Sequence, residues 1–196
     1  MEKIKSIVVF CASSSGNRPE YLECAQRTGK MLADKKIRMI YGGGKVGLMG
    51  AAADSCMQAG GNVVGIIPDF MTPKEIAHQG ISELIVVGSM HERKLQMHEK
   101  SDAVITLPGG FGTFEELFEI LTWVQLGIYQ KPVGILNING YYDLLEKQLD
   151  LMVKEGLLKA KHRESLYFSK TLKGLFDYFE SFQPAPGIFR IDKNKT

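Results

Sequence analysis

The sequence predicts an α/β fold, a doubly wound, mostly parallel sheet flanked by helices on both faces. Two observations carry that expectation. Short runs of continuous apolar residues alternate with longer segments of helical periodicity, and strands that are apolar on both sides belong to a parallel sheet covered by helices. Three glycine-bearing turns also follow strands. Right-handed crossovers would gather them at the carboxyl edge of the sheet, where open α/β folds bind ligands.

Taken in order, residues 4–10 (I-K-S-I-V-V-F) form the first strand. A lysine-bearing start before an apolar run is also the pattern of a leader peptide, but this run is short and leads straight into a turn, so a buried strand is expected. A small-residue turn (12–16) and a helix (19–33) follow. The second strand, 37–41, ends in Gly42-Gly-Gly-Lys-Val-Gly47 and a small-residue helix to about residue 59. The third strand is 63–67, then a Pro-bearing loop with a short helix (68–77). Strands at 84–87 and 103–107 bracket a charged helix at 90–100. A sixth strand (133–136), a helix (141–154), a short edge strand (166–168) and a last helix (172–182) complete the pattern.

Composition sets outer limits. In 196 residues, 44% hydrophobic and 23% charged content fit a soluble globular protein. With no linker or repeat, residues 1–182 are read as one domain and 183–196 as a C-terminal tail. A net charge of +2 is too small to call for nucleic acid. Cys11, Cys24 and Cys56 lack a C-x-x-C pair, so neither a disulfide framework nor a zinc site is expected and a cytoplasmic setting is the simplest account. No apolar run approaches membrane-spanning length, so no membrane partner is expected.

The chemistry concentrates at residues 101–126. Pro108 cannot donate to a ladder and ends the strand. Gly109, Gly110 and Gly112 then leave no Cβ between backbone amides and a ligand. Thr113 is read as opening the helix that carries Phe114, Leu117, Phe118, Leu121 and Val124. Strand, glycine turn and helix N-terminus together make an anion site, with Glu115 and Glu116 in the first turn beside it. The competing account is structural: Thr113-Phe-Glu-Glu116 fits a capping box in which Glu116 only satisfies a backbone N–H.

Other motifs are weaker. Gly42-x-Gly44-x-x-Gly47 matches the dinucleotide fingerprint, yet follows the second strand and lacks a well-placed acid; its glycines could equally let the helix start close to the sheet. Met90-His-Glu-Arg-Lys94 starts a helix at the same sheet edge, where Arg93 could fork onto phosphate or onto Glu116 or form a solvated basic face. His78, His91, His98 and His162 show no metal-ligand spacing, and no metal is expected. The Phe114–Leu126 segment is apolar nearly all round, which favours a two-fold homodimer using this helix.

At Pro108-Gly-Gly-Phe-Gly-Thr-Phe-Glu-Glu116 the sequence resembles the LONELY GUY (LOG) family of cytokinin riboside 5′-monophosphate phosphoribohydrolases, whose signature is P-G-G-x-G-T-x-x-E. Tyr41-Gly-Gly-Gly, Val46-Gly-Leu-Met-Gly50, Met90-His-Glu-Arg-Lys94, Thr122-Trp-Val-Gln-Leu-Gly-Ile128 and Lys131-Pro-Val-Gly134 resemble the family as well, so the likeness covers residues 4–155. It implies a Rossmann-like fold, commonly a homodimer, and hydrolysis of the N-glycosidic bond of a nucleoside 5′-monophosphate such as AMP or its prenylated form, without a cofactor. Carried over by motif, Glu116 and Arg93 are the catalytic pair. Gly109, Gly110, Phe111, Gly112 and Thr113 hold the 5′-phosphate with Phe114 adjoining, and Glu75, Lys94, Glu115 and Thr122 contact substrate. Members are often labelled lysine decarboxylases, which would require a Schiff-base lysine on pyridoxal phosphate. A non-catalytic nucleotide binder and an NAD(P) oxidoreductase built on residues 42–47 stay open beside it.

Overall fold

The computed structural model describes residues 4–72 and 76–184. Seven strands form one all-parallel sheet: β1 Ser6–Phe10, β2 Arg38–Tyr41, β3 Val63–Pro68, β4 Glu83–Val87, β5 Ala103–Thr106, β6 Val133–Leu136 and β7 Leu166–Ser169, in the spatial order β4-β3-β2-β1-β5-β6-β7. The expected α/β architecture is therefore present, with every expected strand within a few residues of its predicted bounds. β1 is buried along its whole length, as a central strand requires.

Alternate side chains of each central strand feed two cores. On one face Ile7, Val9, Met39 and Tyr41 pack beneath α1 (Pro19–Asp34), α2 (Gly47–Gln58) and, through Leu175 and Phe179, the last helix. On the other, Val8, Phe10, Ile40 and Ile66 meet Met97 of α3 (Met90–Glu99), Leu117 and Ile120 of α4 (Phe111–Leu126) and Leu149 of α5 (Asp143–Lys154). A four-residue helix, α6 (Ala160–Arg163), which the apolar pattern does not signal, precedes β7, and α7 (Leu172–Ser181) closes the described chain.

The chain builds β1 to β4 outward in one direction, then crosses back so that β5 pairs with β1 on its other side, Val8 opposite Val104. That reversal leaves a crevice beyond the carboxyl ends of β1 and β5, the place where such sheets take ligands. Both the turn after β5 and the start of α4 lie there.

Candidate active site

The turn after β5 is held from behind. The Leu107 carbonyl accepts from the Tyr142 hydroxyl at 2.7 Å, the Pro108 carbonyl from the Ala12 N–H at 3.2 Å, and the Gly109 carbonyl from the Tyr141 hydroxyl at 2.7 Å. With three successive carbonyls engaged, the turn is fixed before any ligand arrives. Gly109 is needed sterically, because a Cβ there would collide with the Thr113 side chain, whereas a Cβ on Gly110 or Gly112 would meet open space. α4 starts at Phe111 with Gly110 as N-cap and no side-chain cap. The first N–H groups of a helix have no intrahelical acceptor, so those of Phe111, Gly112 and Thr113 present a positive helix end to the crevice.

This geometry corrects the capping-box account. Thr113 lies inside the first turn and is buried, and Glu115 and Glu116 belong to the second turn. Glu116 does not serve as a cap; its carboxylate meets Arg93 Nη2 at 3.3 Å. Arg93 in turn donates from Nε to the Ile66 carbonyl at 3.1 Å and lies flat against Gly42, where any Cβ would collide with the guanidinium. The solvated-face account of Arg93 is thereby overturned, since both Arg93 and Glu116 are buried.

Electrostatics set the state of the pair. Burial pushes the Glu116 carboxyl up to about 7, Arg93 pulling against that rise and Glu115 adding to it. Cys11, at the floor of the crevice, is driven well above the ordinary thiol range by burial and by the Glu116 charge, so it stands there as a neutral thiol.

A second set of ion pairs runs beside the first between α3 and α4. Lys94 is buried, donating to Glu115 and, at 3.0 Å, to Glu119. Desolvation lowers its pKa, but the bonds from the two carboxylates outweigh it and the net shift is upward. A Schiff-base nucleophile must lose its proton; Lys94 is held in the opposite state. Thr122 sits three turns down α4, exposed, its hydroxyl donating to the Phe118 carbonyl at 2.8 Å. Glu75 lies outside the described residues.

The other glycine turn is already occupied. Ser14 and Ala12 carbonyls take the Leu48 and Met49 N–H groups at 3.3 and 3.2 Å, and Gly47, at φ +62°, backs directly onto Ser13. Two of the donors that would face a pyrophosphate at the start of α2, the Leu48 and Met49 N–H groups, are spent on the β1–α1 loop, so the fingerprint there serves close packing of that helix on the loop.

Over residues 49–179 the chain matches the family model described as "Possible lysine decarboxylase". Cytokinin riboside 5′-monophosphate phosphoribohydrolase LOG7 of Arabidopsis thaliana is 43% identical over 182 residues, 93% of this chain and 84% of that protein. LOG2 of the same plant is 44% identical over 188 residues, 94% and 88% of the two chains. This chain belongs to the LONELY GUY (LOG) family.

Solved structures place the LOG chain in a wider fold group. The molybdenum cofactor binding protein of Rippkaea orientalis superposes with a TM-score of 0.69 at 22% identity, covering 92% of this chain and 98% of that one. The Moco carrier protein of Chlamydomonas reinhardtii gives 0.67 at 19% identity, covering 91% and 97%. At such identities the likeness is one of fold. Within the LOG signature, the structure gathers Arg93, Glu116, Gly109, Gly110, Phe111, Gly112, Thr113 and Phe114 at one edge, with Lys94 and Glu115 alongside. Sequence reasoning missed Glu119 and the Tyr141 and Tyr142 hydroxyls as parts of the site, and it placed Gly42 in a fingerprint without its contact to Arg93; only the i, i+4 spacing of Glu115 and Glu119 could have signalled a shared partner.

Among the described residues no group of three or more His, Cys, Asp and Glu gathers to hold a metal ion, and no helix is long and apolar enough to cross a membrane.

Proposed function

We propose that this LOG-family chain hydrolyses the N-glycosidic bond of adenine-type nucleoside 5′-monophosphates, cytokinin riboside 5′-monophosphate and AMP, releasing the free base and ribose 5-phosphate. The observation that carries this is a buried carboxylate one turn from an open helix N-terminus. Gly112 and Glu116 are separated by four residues, a rise of about 6 Å, comparable to the reach of ribose 5-phosphate from phosphorus to C1′. A phosphate on the amides of residues 109–113 would thus present C1′ toward Glu116.

Cleavage builds positive charge on the ribose ring. The Glu116 carboxylate stabilises that charge or takes a proton from the attacking water, while Arg93 fixes its orientation. Water supplies hydroxyl to C1′ and a proton to the departing base, so the reaction needs no cofactor. Binding energy from the remote phosphate positions the reacting carbon. Further substrate contacts at Phe114, Lys94, Glu115, Thr122 and Glu75 belong to the same proposal, with residues 1–182 acting as one catalytic domain.

We also assign the working unit as a cytoplasmic homodimer. Thr122 lies eleven residues from Phe111, about 17 Å along α4, too far to share one ligand with the phosphate turn of its own chain. Phe111, Glu115, Phe118 and Thr122 lie along one exposed stripe of α4, with Phe111 96% exposed, and a second copy packed there would bring Thr122 to the neighbouring site. The three cysteines are buried free thiols, in keeping with a reducing compartment.

The test is to incubate the purified protein with AMP and with isopentenyl-AMP and to separate the products by chromatography. Free base from wild type and none from Glu116→Gln supports hydrolysis. No base from either nucleotide leaves a non-catalytic nucleotide binder.

A further inference from the structure

We infer that His78, with Asp54, is a positioning residue for Arg93: together they clamp the glycine turn that backs the guanidinium. His78 lies on the loop after β3, 24 residues from Asp54 of α2, and neither belongs to the signature segments. Its ring is buried and bridges two partners. The Gly80 N–H donates to Nδ1 at 3.1 Å, which makes Nδ1 the acceptor. Nε2 therefore carries the proton and donates to Asp54 Oδ1 at 3.0 Å.

The backbone around the ring completes the clamp. The His78 N–H donates to the Gly43 carbonyl at 2.9 Å, the Lys45 N–H to the Ile76 carbonyl at 2.9 Å, and Gly44 and Ala77 form an antiparallel bridge. Residues 76–78 thus lie across 43–45 as a strap whose outer end is tied to α2 by the imidazole. Gly42, the first residue of that turn, is in contact with Arg93, and Arg93 holds Glu116. Beyond the Ile66 carbonyl that takes its Nε–H at 3.1 Å, the further polar contact of Arg93 among the described residues is a long approach of Nη1 to Met90 Sδ at 3.9 Å. Loosening the strap lets Gly42 recede and frees the guanidinium to turn away from the carboxylate.

The test reads Arg93 directly, by the hydrogen-exchange rate of its Nε–H in the 15N NMR spectrum of the full chain. His78→Ala and Asp54→Ala each remove the tie, and Asp54→Asn keeps the Oδ1 acceptor. Asp54 is half exposed, so its variants leave the core intact. Nε–H exchange about tenfold faster in both alanine variants, near wild type in Asp54→Asn, and with the Val8 amide of β1 unchanged, supports the clamp. Unchanged Nε–H exchange overturns it, and so does equal acceleration at Val8, which would make His78 a residue of global stability alone. The activity arm rests on the proposed hydrolysis: kcat should fall about tenfold in the alanine variants with KM within about twofold, and an unchanged kcat overturns a positioning role. If wild type releases no base, the proposed reaction fails while the exchange measurement still decides the clamp.

Discussion

Arg93 Nη2 and Glu116 Oε1 stand 3.3 Å apart, and each residue is only 7% exposed. A guanidinium cannot shed its proton in a protein, so the charge of the pair is decided by the carboxyl alone. Burial and Arg93 act on it in opposite directions, and the outcome is a carboxyl that titrates near neutrality, where the proposed proton transfer would work best.

The pH dependence of kcat/KM follows from that balance. In the proposed hydrolysis the ionised Glu116 is the active form, so kcat/KM should rise with pH through about 7 and level off above it. Arg93 lowers the carboxyl's pKa, so Arg93→Gln should move the midpoint upward, on top of its loss of rate. A wild-type profile flat from about pH 5 to about pH 9 would remove Glu116 from the titrating step.

Two neighbouring glycines should fail differently. Gly109→Ala forces a Cβ into Thr113 and should lower the melting temperature. Gly112→Ala meets no protein atom and should melt at or above the wild-type temperature, since alanine favours a helix. Its methyl would nonetheless stand among the amides proposed to hold the phosphate and should raise KM about tenfold. Thermal melts and steady-state kinetics on the same preparations separate the two effects.

Lys94→Met should destabilise the fold by about 1 kcal/mol in urea unfolding, because it takes the cation from Glu119 and from the more exposed Glu115. Glu119→Gln keeps a hydrogen-bond acceptor for Lys94 and should cost less. Equal losses in the two variants would show that the lysine's stem, and not its charge, holds the α3–α4 seam.

Gly42→Ala should lower kcat about tenfold without touching the substrate, because the new methyl displaces the guanidinium from Glu116. Unchanged kcat with unchanged pH midpoint would mean that Arg93 has another resting place.

Much of the fold was legible because its strands are continuous apolar runs cut by glycine and proline, and periodicity is a local property. The helix start was not: Thr113 looked like a cap because it is Thr followed three residues later by Glu, while the tightness of the turn at Gly109 and Gly110 starts the helix two residues earlier. Arg93 shows the larger obstacle. In H-E-R-K it looks solvated, and its burial is imposed by Ile66 and Gly42, from two strands distant in sequence. The tie between His78 and Asp54 is hidden for the same reason, since no spacing rule links a loop to a helix 24 residues away. The LOG resemblance named Glu116 through the signature and Arg93 through Met90-His-Glu-Arg-Lys94, but their mutual contact and the brace behind it are products of strand order.

The filled glycine turn before α2 also bears on what this scaffold can become. Open α/β proteins that take dinucleotides do so at a glycine turn whose helix amides stay free for the pyrophosphate. Here two of the amides at the start of α2 go to the chain's own Ala12 and Ser14 carbonyls, with Gly47 wedged on Ser13. Converting the protein to a nicotinamide enzyme would require rebuilding the β1–α1 loop as a unit, because no single substitution withdraws two carbonyls and a backbone contact together. Selection acting one residue at a time is therefore steered toward new bases in the existing crevice and away from new cofactors.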